Sequence, residues 1–210
     1  MLMSRRWRSQ HRRSPHSCFG LWLHNEVRDS LYSLLLDTMP GCTVLKEKHI
    51  AHGDNPIIAD IVVVDGGNRI VIDVTITDPA CVTHVDRGNT SSAVVADAGA
   101  RAAEATKRAK YASVPQLHCD PDCFDDSGVT HDFVFVPFAM EATGRLGPAA
   151  TDFLDNFILL NPIFHADVSQ FRNNLDASVA RNNSRMITKN RRNVVFNDTD
   201  PAPNTNSSSS

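Results

Sequence analysis

The turn Asp65-Gly66-Gly67-Asn68 separates two runs rich in Ile, Val and Thr, residues 57–64 and 69–77. Asp-Gly and Gly-Asn tolerate the positive φ of tight turns, and between β-branched runs they specify an antiparallel hairpin. If pairing is symmetric about Gly66 and Gly67, for either a two- or a four-residue loop, Asp60 falls opposite Asp73. Opposed side chains share a face, with Cβ atoms about 4.5–5.5 Å apart. Two carboxylates held there repel. Each also sits in an apolar run, Ala59-Asp60-Ile61 and Ile72-Asp73-Val74, where burial of charge is costly. A bound cation offsets both penalties, and hard ions such as Mg²⁺ take carboxylate oxygens together with substrate phosphate. Two alternatives stay open. A bulge breaks the register, and simple alternation leaves both aspartates in water. Thr75 lies on the same face as Asp73.

Leu23, Val27, Leu31, Leu34 and Leu35 recur at three- and four-residue steps. They predict a helix over 21–38 that Pro40-Gly41 ends. Residues 42–48 read as a short strand and 52–56 as a loop. Residues 91–112 are Ala-rich and predict a second long helix. A Cys/Asp-rich loop spans 115–130, followed by a strand over 132–138 with Pro137 near its end. Pro148 suits the first turn of a helix over 148–160, and a last helix covers 167–182. The order α-β-β-β-α-β-α-α describes a mixed α/β domain around a central sheet. On the second long helix Glu104, Lys107, Lys110 and Tyr111 share one face. Alone, such a stripe is an ordinary solvated face; set against two acids, it is a phosphate-handling arrangement. The first helix offers Glu26.

The formal net charge of −3 is a cancellation. Residues 1–25 carry five arginines and no acid. Residues 26–180 carry 11 bases against 22 acids, and residues 181–210 carry five bases and two acids. These boundaries suggest a basic, disordered arm over 1–20, a folded domain over 21–182, and a basic, then Asn/Ser-rich disordered tail over 183–210. Basic ends touch nucleic acid or are simply solvated. No apolar run approaches the ~20 residues that cross a bilayer, so no membrane partner is expected. The N-terminus lacks the apolar core of a secretory signal, though its Arg-rich character would also suit a mitochondrial presequence. The five cysteines are irregularly spaced, which fits a reducing compartment, nuclear or cytoplasmic. His118, Cys119, Cys123 and His131 could ligate zinc. Their spacing matches no recognised ligand set, and free thiols in a loop are the other reading.

The strings Ala59-Asp60-Ile61, Ile72-Asp73-Val74-Thr75, Lys107-Arg108-Ala109-Lys110-Tyr111 and Phe135–Gly144, preceded by His24–Asp29, carry a resemblance. Their order resembles the PD-(D/E)xK restriction-endonuclease-like superfamily. More narrowly, it is similar to the domain found C-terminal to reverse transcriptases in retroelement-derived proteins. The resemblance covers about 24–160 and implies a restriction-endonuclease-like αβββαβ core with a mixed sheet and extra C-terminal helices. It implies a DNA endonuclease, with RNA as the other substrate, using Mg²⁺ or Mn²⁺ held by Asp60 and Asp73. Glu26 would contribute through water. The family's lysine two residues after the second acid is replaced here by Thr75, so Lys107 or Lys110 would supply the ammonium. Tyr111 matches a helix position used by some members, Glu104 lies one turn before Lys107, and Glu141 matches a family glutamate of unassigned role. In longer relatives a Cys/His stretch and a reverse transcriptase precede this domain, so the chain reads as a truncated or decayed element. Two other functions stand beside the nuclease. One is a non-catalytic remnant binding nucleic acid through its ends, and the other is an unrelated small α/β interaction domain.

Overall fold

A computed structural model describes residues 15–51, 56–66, 68–79, 95–112, 133–160 and 162–197. Helix α1 (Pro15–Thr38) leads into strands β1 (Thr43–Ala51), β2 (Ile57–Asp65) and β3 (Asn68–Thr77). Helix α2 (Ala98–Ala112) precedes β4 (Phe133–Glu141). Helix α3 (Pro148–Leu160), a 3₁₀ turn over 162–164, and α4 (His165–Asn197) complete the chain.

The strands form one mixed sheet in the order β1-β2-β3-β4. The first three run antiparallel, and β4 lies parallel to β3. Parallel neighbours need a crossover, and α2 lies within it. The hairpin register is the symmetric one, with Asp65 opposite Asn68 and Ile61 opposite Ile72. Gly66 takes φ +52°, and the Arg69 guanidinium donates to its carbonyl at 2.7 Å, which locks the turn.

The two faces of the sheet are both covered, which is why the central runs are almost wholly apolar. On one face Ile61, Val63, Ile72, Val74, Val136, Phe138 and Met140 meet the stripe Leu23–Leu35 of α1, Leu154 of α3 and Phe171, Leu175 and Val179 of α4. On the other, Ile57, Ala59, Val62 and Val71 meet Tyr111 of α2. The mixed α/β class read from the sequence is the observed one.

Several boundaries differ from expectation. Helix α1 begins at Pro15, where a missing N–H costs nothing in the first turn. Strand β4 runs through Pro137 to Glu141, because β4 is an edge strand and needs no second row of ladder bonds. Helix α2 begins at Ala98, after Asp97 at φ +62°. The last helix extends from His165 to Asn197 instead of covering 167–182. No Pro or Gly interrupts that stretch, and Arg, Met and Lys sustain a helix. The possible zinc ligands His118, Cys119, Cys123 and His131 lie outside the described residues, as do 1–14 and 198–210.

Candidate functional site

The ladder between β2 and β3 stops one residue short of the two aspartates. Its last pair is Ile61 with Ile72, after which Asp60 Oδ2 accepts the Val74 N–H at 2.7 Å. A carboxylate thus replaces a main-chain carbonyl where the strands part. On its other side, β2 is irregular at the same point. Lys46 pairs with Ile61 and Lys48 with Ala59, and between them Glu47 takes φ +55°. Positive φ is uncommon outside glycine and marks a strained position.

Helix α1 fixes this irregularity with two basic side chains one turn apart. His24 Nε2 lies 3.3 Å from Asp60 Oδ2 and 3.1 Å from the Val74 carbonyl. Arg28, nearly buried, bonds the Glu47 carboxylate and Asp29. The hydrogen bond that His24 donates to Asp60, partly countered by burial, raises the His24 pKa. Burial alone would raise Asp60, but His24, the Val74 N–H and the neighbouring Asp73 outweigh it and hold that carboxyl below its ordinary value.

Asp73 has a different environment. It is 4% exposed on the α2 side of the sheet. Its Oδ1 accepts from Lys107 Nζ at 2.8 Å, while its Oδ2 is buried without a partner. Burial raises its pKa, Lys107 opposes that, and the charge of Asp60 adds to it. Two adjacent carboxyls pushed in opposite directions are a recurring feature of functional sites, because one stays ionised while the other holds its proton longer. Tyr111 stacks on Phe135 with ring centroids 3.9 Å apart. Its buried hydroxyl makes no well-formed hydrogen bond, yet lies close enough to Asp73 that burial, then the charge of that carboxylate and a weak hydrogen bond to it, raise its pKa.

Asp60, Asp73, Lys107 and Tyr111 therefore come together. The other expected residues have different surroundings. Thr75 Oγ1 is buried without a partner beneath α2. Lys110 lies over the Tyr111 ring, 5.5 Å from its centroid. Glu104 is buried, and its Oε1 accepts the Ala149 N–H at 2.9 Å, capping the start of α3. Glu26 turns toward α4, where its Oε2 lies 3.3 Å from the Arg181 guanidinium. It lines an open groove of about 390 Å³ with Asp29, Ser33, Asn174 and Ser178. Glu141 is buried at the end of β4, with Oε1 unpartnered and Oε2 3.4 Å from the Thr143 hydroxyl. The α1 residue at the carboxylates is thus His24, which motif spacing does not single out. Its signal is a polar residue beside the apolar stripe, next to Leu23 and three before Val27.

Among the described residues no set of three or more His, Cys, Asp or Glu side chains is arranged to ligate a metal. The donor set is nonetheless one that Mg²⁺ or Mn²⁺ accepts. Such ions bind through one or two carboxylates and fill the remaining positions with water and substrate phosphate. The orphaned, buried Asp73 Oδ2 is the atom that gains most from a cation. No family model matches the chain, and no curated protein matches its sequence.

Proposed function

We propose that this chain is a metal-dependent nuclease of the restriction-endonuclease-like kind, retroelement-derived and hydrolysing DNA phosphodiester bonds. The observation that carries the reading is the coupling of the Asp60 and Asp73 carboxyls where β2 parts from β3, with one Asp73 oxygen on Lys107 and the other buried without a well-formed hydrogen bond. The sequence α1, three antiparallel strands, α2 and a parallel fourth strand is also the order that this resemblance implies.

Asp60 and Asp73 would hold the ion. When bound, a divalent cation supplies Lewis acidity to a phosphoryl oxygen and lowers the pKa of an attacking water. The chain's own groups do the rest. Asp60, kept ionised by His24 and the Val74 N–H, presents a fixed charge. Lys107 brings an ammonium from α2 to the place that Thr75 leaves without one, available to the charge that develops on phosphate oxygens. Tyr111 keeps its proton and offers a neutral donor beside Asp73.

A second reading, a fold kept without catalysis, draws on Thr75 at the lysine position. One assay separates the two. Purified protein is incubated with plasmid and single-stranded DNA in Mg²⁺, Mn²⁺ or EDTA. The nuclease reading expects metal-dependent cutting by wild type, and a loss of at least about a hundredfold in Asp73→Asn and in Lys107→Ala. No metal-dependent cutting, or equal cutting by Asp73→Asn, overturns it.

A further inference from the structure

The C-terminal half of α4 carries a run of bases uninterrupted by any acid. Between Asp176 and Asp198 the sequence has five bases, Arg181, Arg185, Lys189, Arg191 and Arg192, and no acid. The helix continues unbroken through Asn197. Positions 181, 185, 189 and 192 follow one another at steps of four, four and three, the spacing of one helical side. They span about 16 Å along the axis at the α-helical rise.

The first two of these bases are held in place. Arg181 donates to the Ser178 hydroxyl at 2.8 Å and to Glu26 at 3.3 Å. The Arg185 guanidinium stacks 4.1 Å over the Trp22 ring. Stacking restricts the plane of an arginine, which lowers the entropy lost when its N–H groups bind an anion. Trp22 and Glu26 flank His24 in α1, so Arg181 and Arg185 lie beside the segment of α1 that meets Asp60.

We propose that this half of α4 grips the phosphate backbone of duplex nucleic acid and so seats the strand at the Asp60–Asp73 pair. The inference rests on the nuclease reading for its substrate class. It resolves a conflict in that reading, because the body over 26–180 has twice as many acids as bases and would repel a polyanion. The helix also carries Asn183, Ser184, Thr188, Asn190 and Asn193, polar side chains of the kind that add phosphate contacts. A membrane surface fits less well. A membrane-lying helix needs a broad free apolar face with few polar residues, whereas Asn, Ser and Thr are interspersed among these bases.

The test is a binding titration of the full chain in EDTA, with duplex DNA of about two helical turns followed by fluorescence anisotropy over about 50–200 mM salt. Asp73→Asn serves as the parent, so that cutting cannot intervene. Each base that no longer neutralises a phosphate should flatten the log–log salt slope by about 0.9. The triple variant Lys189→Gln/Arg191→Gln/Arg192→Gln should therefore flatten it by about two to three and weaken binding at least about tenfold. Arg185→Gln should flatten it by about one. Arg101→Gln, on α2 and paired to Asp97, should leave it unchanged. An unchanged slope in the triple variant overturns the inference, as does wild-type binding to phosphatidylserine vesicles but not to DNA. If the slope responds while wild type cuts nothing in Mg²⁺, the grip stands and the nuclease reading falls. Cutting with an unresponsive slope gives the reverse.

Discussion

His24 Nε2 faces two acceptors, the Asp60 carboxylate and the Val74 carbonyl, while Nδ1 lies 3.3 Å from Asn25 Oδ1. A doubly protonated ring satisfies this arrangement, which agrees with its raised pKa. The sign of the linkage follows. With a folded pKa above the ordinary 6.5, His24 contributes its full stabilisation below that pH, and the contribution fades as pH climbs through the raised value. Asp60 runs the other way, since its folded pKa lies below the ordinary 3.8, so its contribution is lost as pH falls through the lowered value. His24→Gln should cost about 1–2 kcal/mol near pH 5.5 and clearly less near pH 8.5. Urea unfolding of both proteins at the two pH values checks this, and equal costs contradict a protonated His24. Thr75 makes the opposite prediction. Its buried hydroxyl has no partner, so Thr75→Val should be neutral or stabilise by up to about 1 kcal/mol in the same measurement. A loss larger than that means the hydroxyl is satisfied in solution.

Helix α3 depends on a side chain from α2. Glu104 Oε1 takes the Ala149 N–H, and a Cβ built on Gly147 would lie 2.2 Å from that same oxygen. Glu104→Ala removes the cap and should cost about 0.5–2 kcal/mol. Gly147→Ala pushes the carboxylate off the cap and should cost a similar amount. The double variant should be little worse than either single, since both remove the same hydrogen bond. Strict additivity in chemical denaturation would falsify this account of the cap. The same elements show what pattern can and cannot convey. Symmetric turn chemistry around Gly66 and Gly67 specifies the hairpin register as far as Ile61 and Ile72, beyond which Asp60 leaves the ladder and its carboxylate accepts the Val74 N–H. The α1 stripe is legible because burial repeats at helical steps. Spacing gives Glu104 a helix face but not what that face meets, and here it meets the start of α3 rather than the carboxylates. The end of β4 escapes a local reading because Pro137 stops a central strand but not an edge. The positive φ of Glu47 is held by Arg28, 19 residues away, and no local pattern encodes it.

Across the whole molecule, charge is divided between an acidic body and basic ends, and within that body two carboxyls are drawn together beneath covering helices. Among the described residues no helix is long and apolar enough to cross a membrane. A divalent ion that relieves the carboxylate pair links ion binding to folding. At an ion concentration about a hundredfold above its Kd, the native state should gain about 2.7 kcal/mol over the protein in EDTA, and Asp60→Asn/Asp73→Asn should gain nothing. Thermal unfolding reads this gain. Because the Asp73 carboxyl must be ionised to ligate, and its pKa is raised, ion affinity should weaken as pH falls through that raised value. The most direct measurement is a Mn²⁺ titration of the intact chain followed by electron paramagnetic resonance of the free ion. Wild type should take up Mn²⁺, with the ion displaced by excess Mg²⁺ and uptake lost in Asp60→Asn/Asp73→Asn. Uptake that is absent in wild type, or equal in the double variant, contradicts an ion held by this pair.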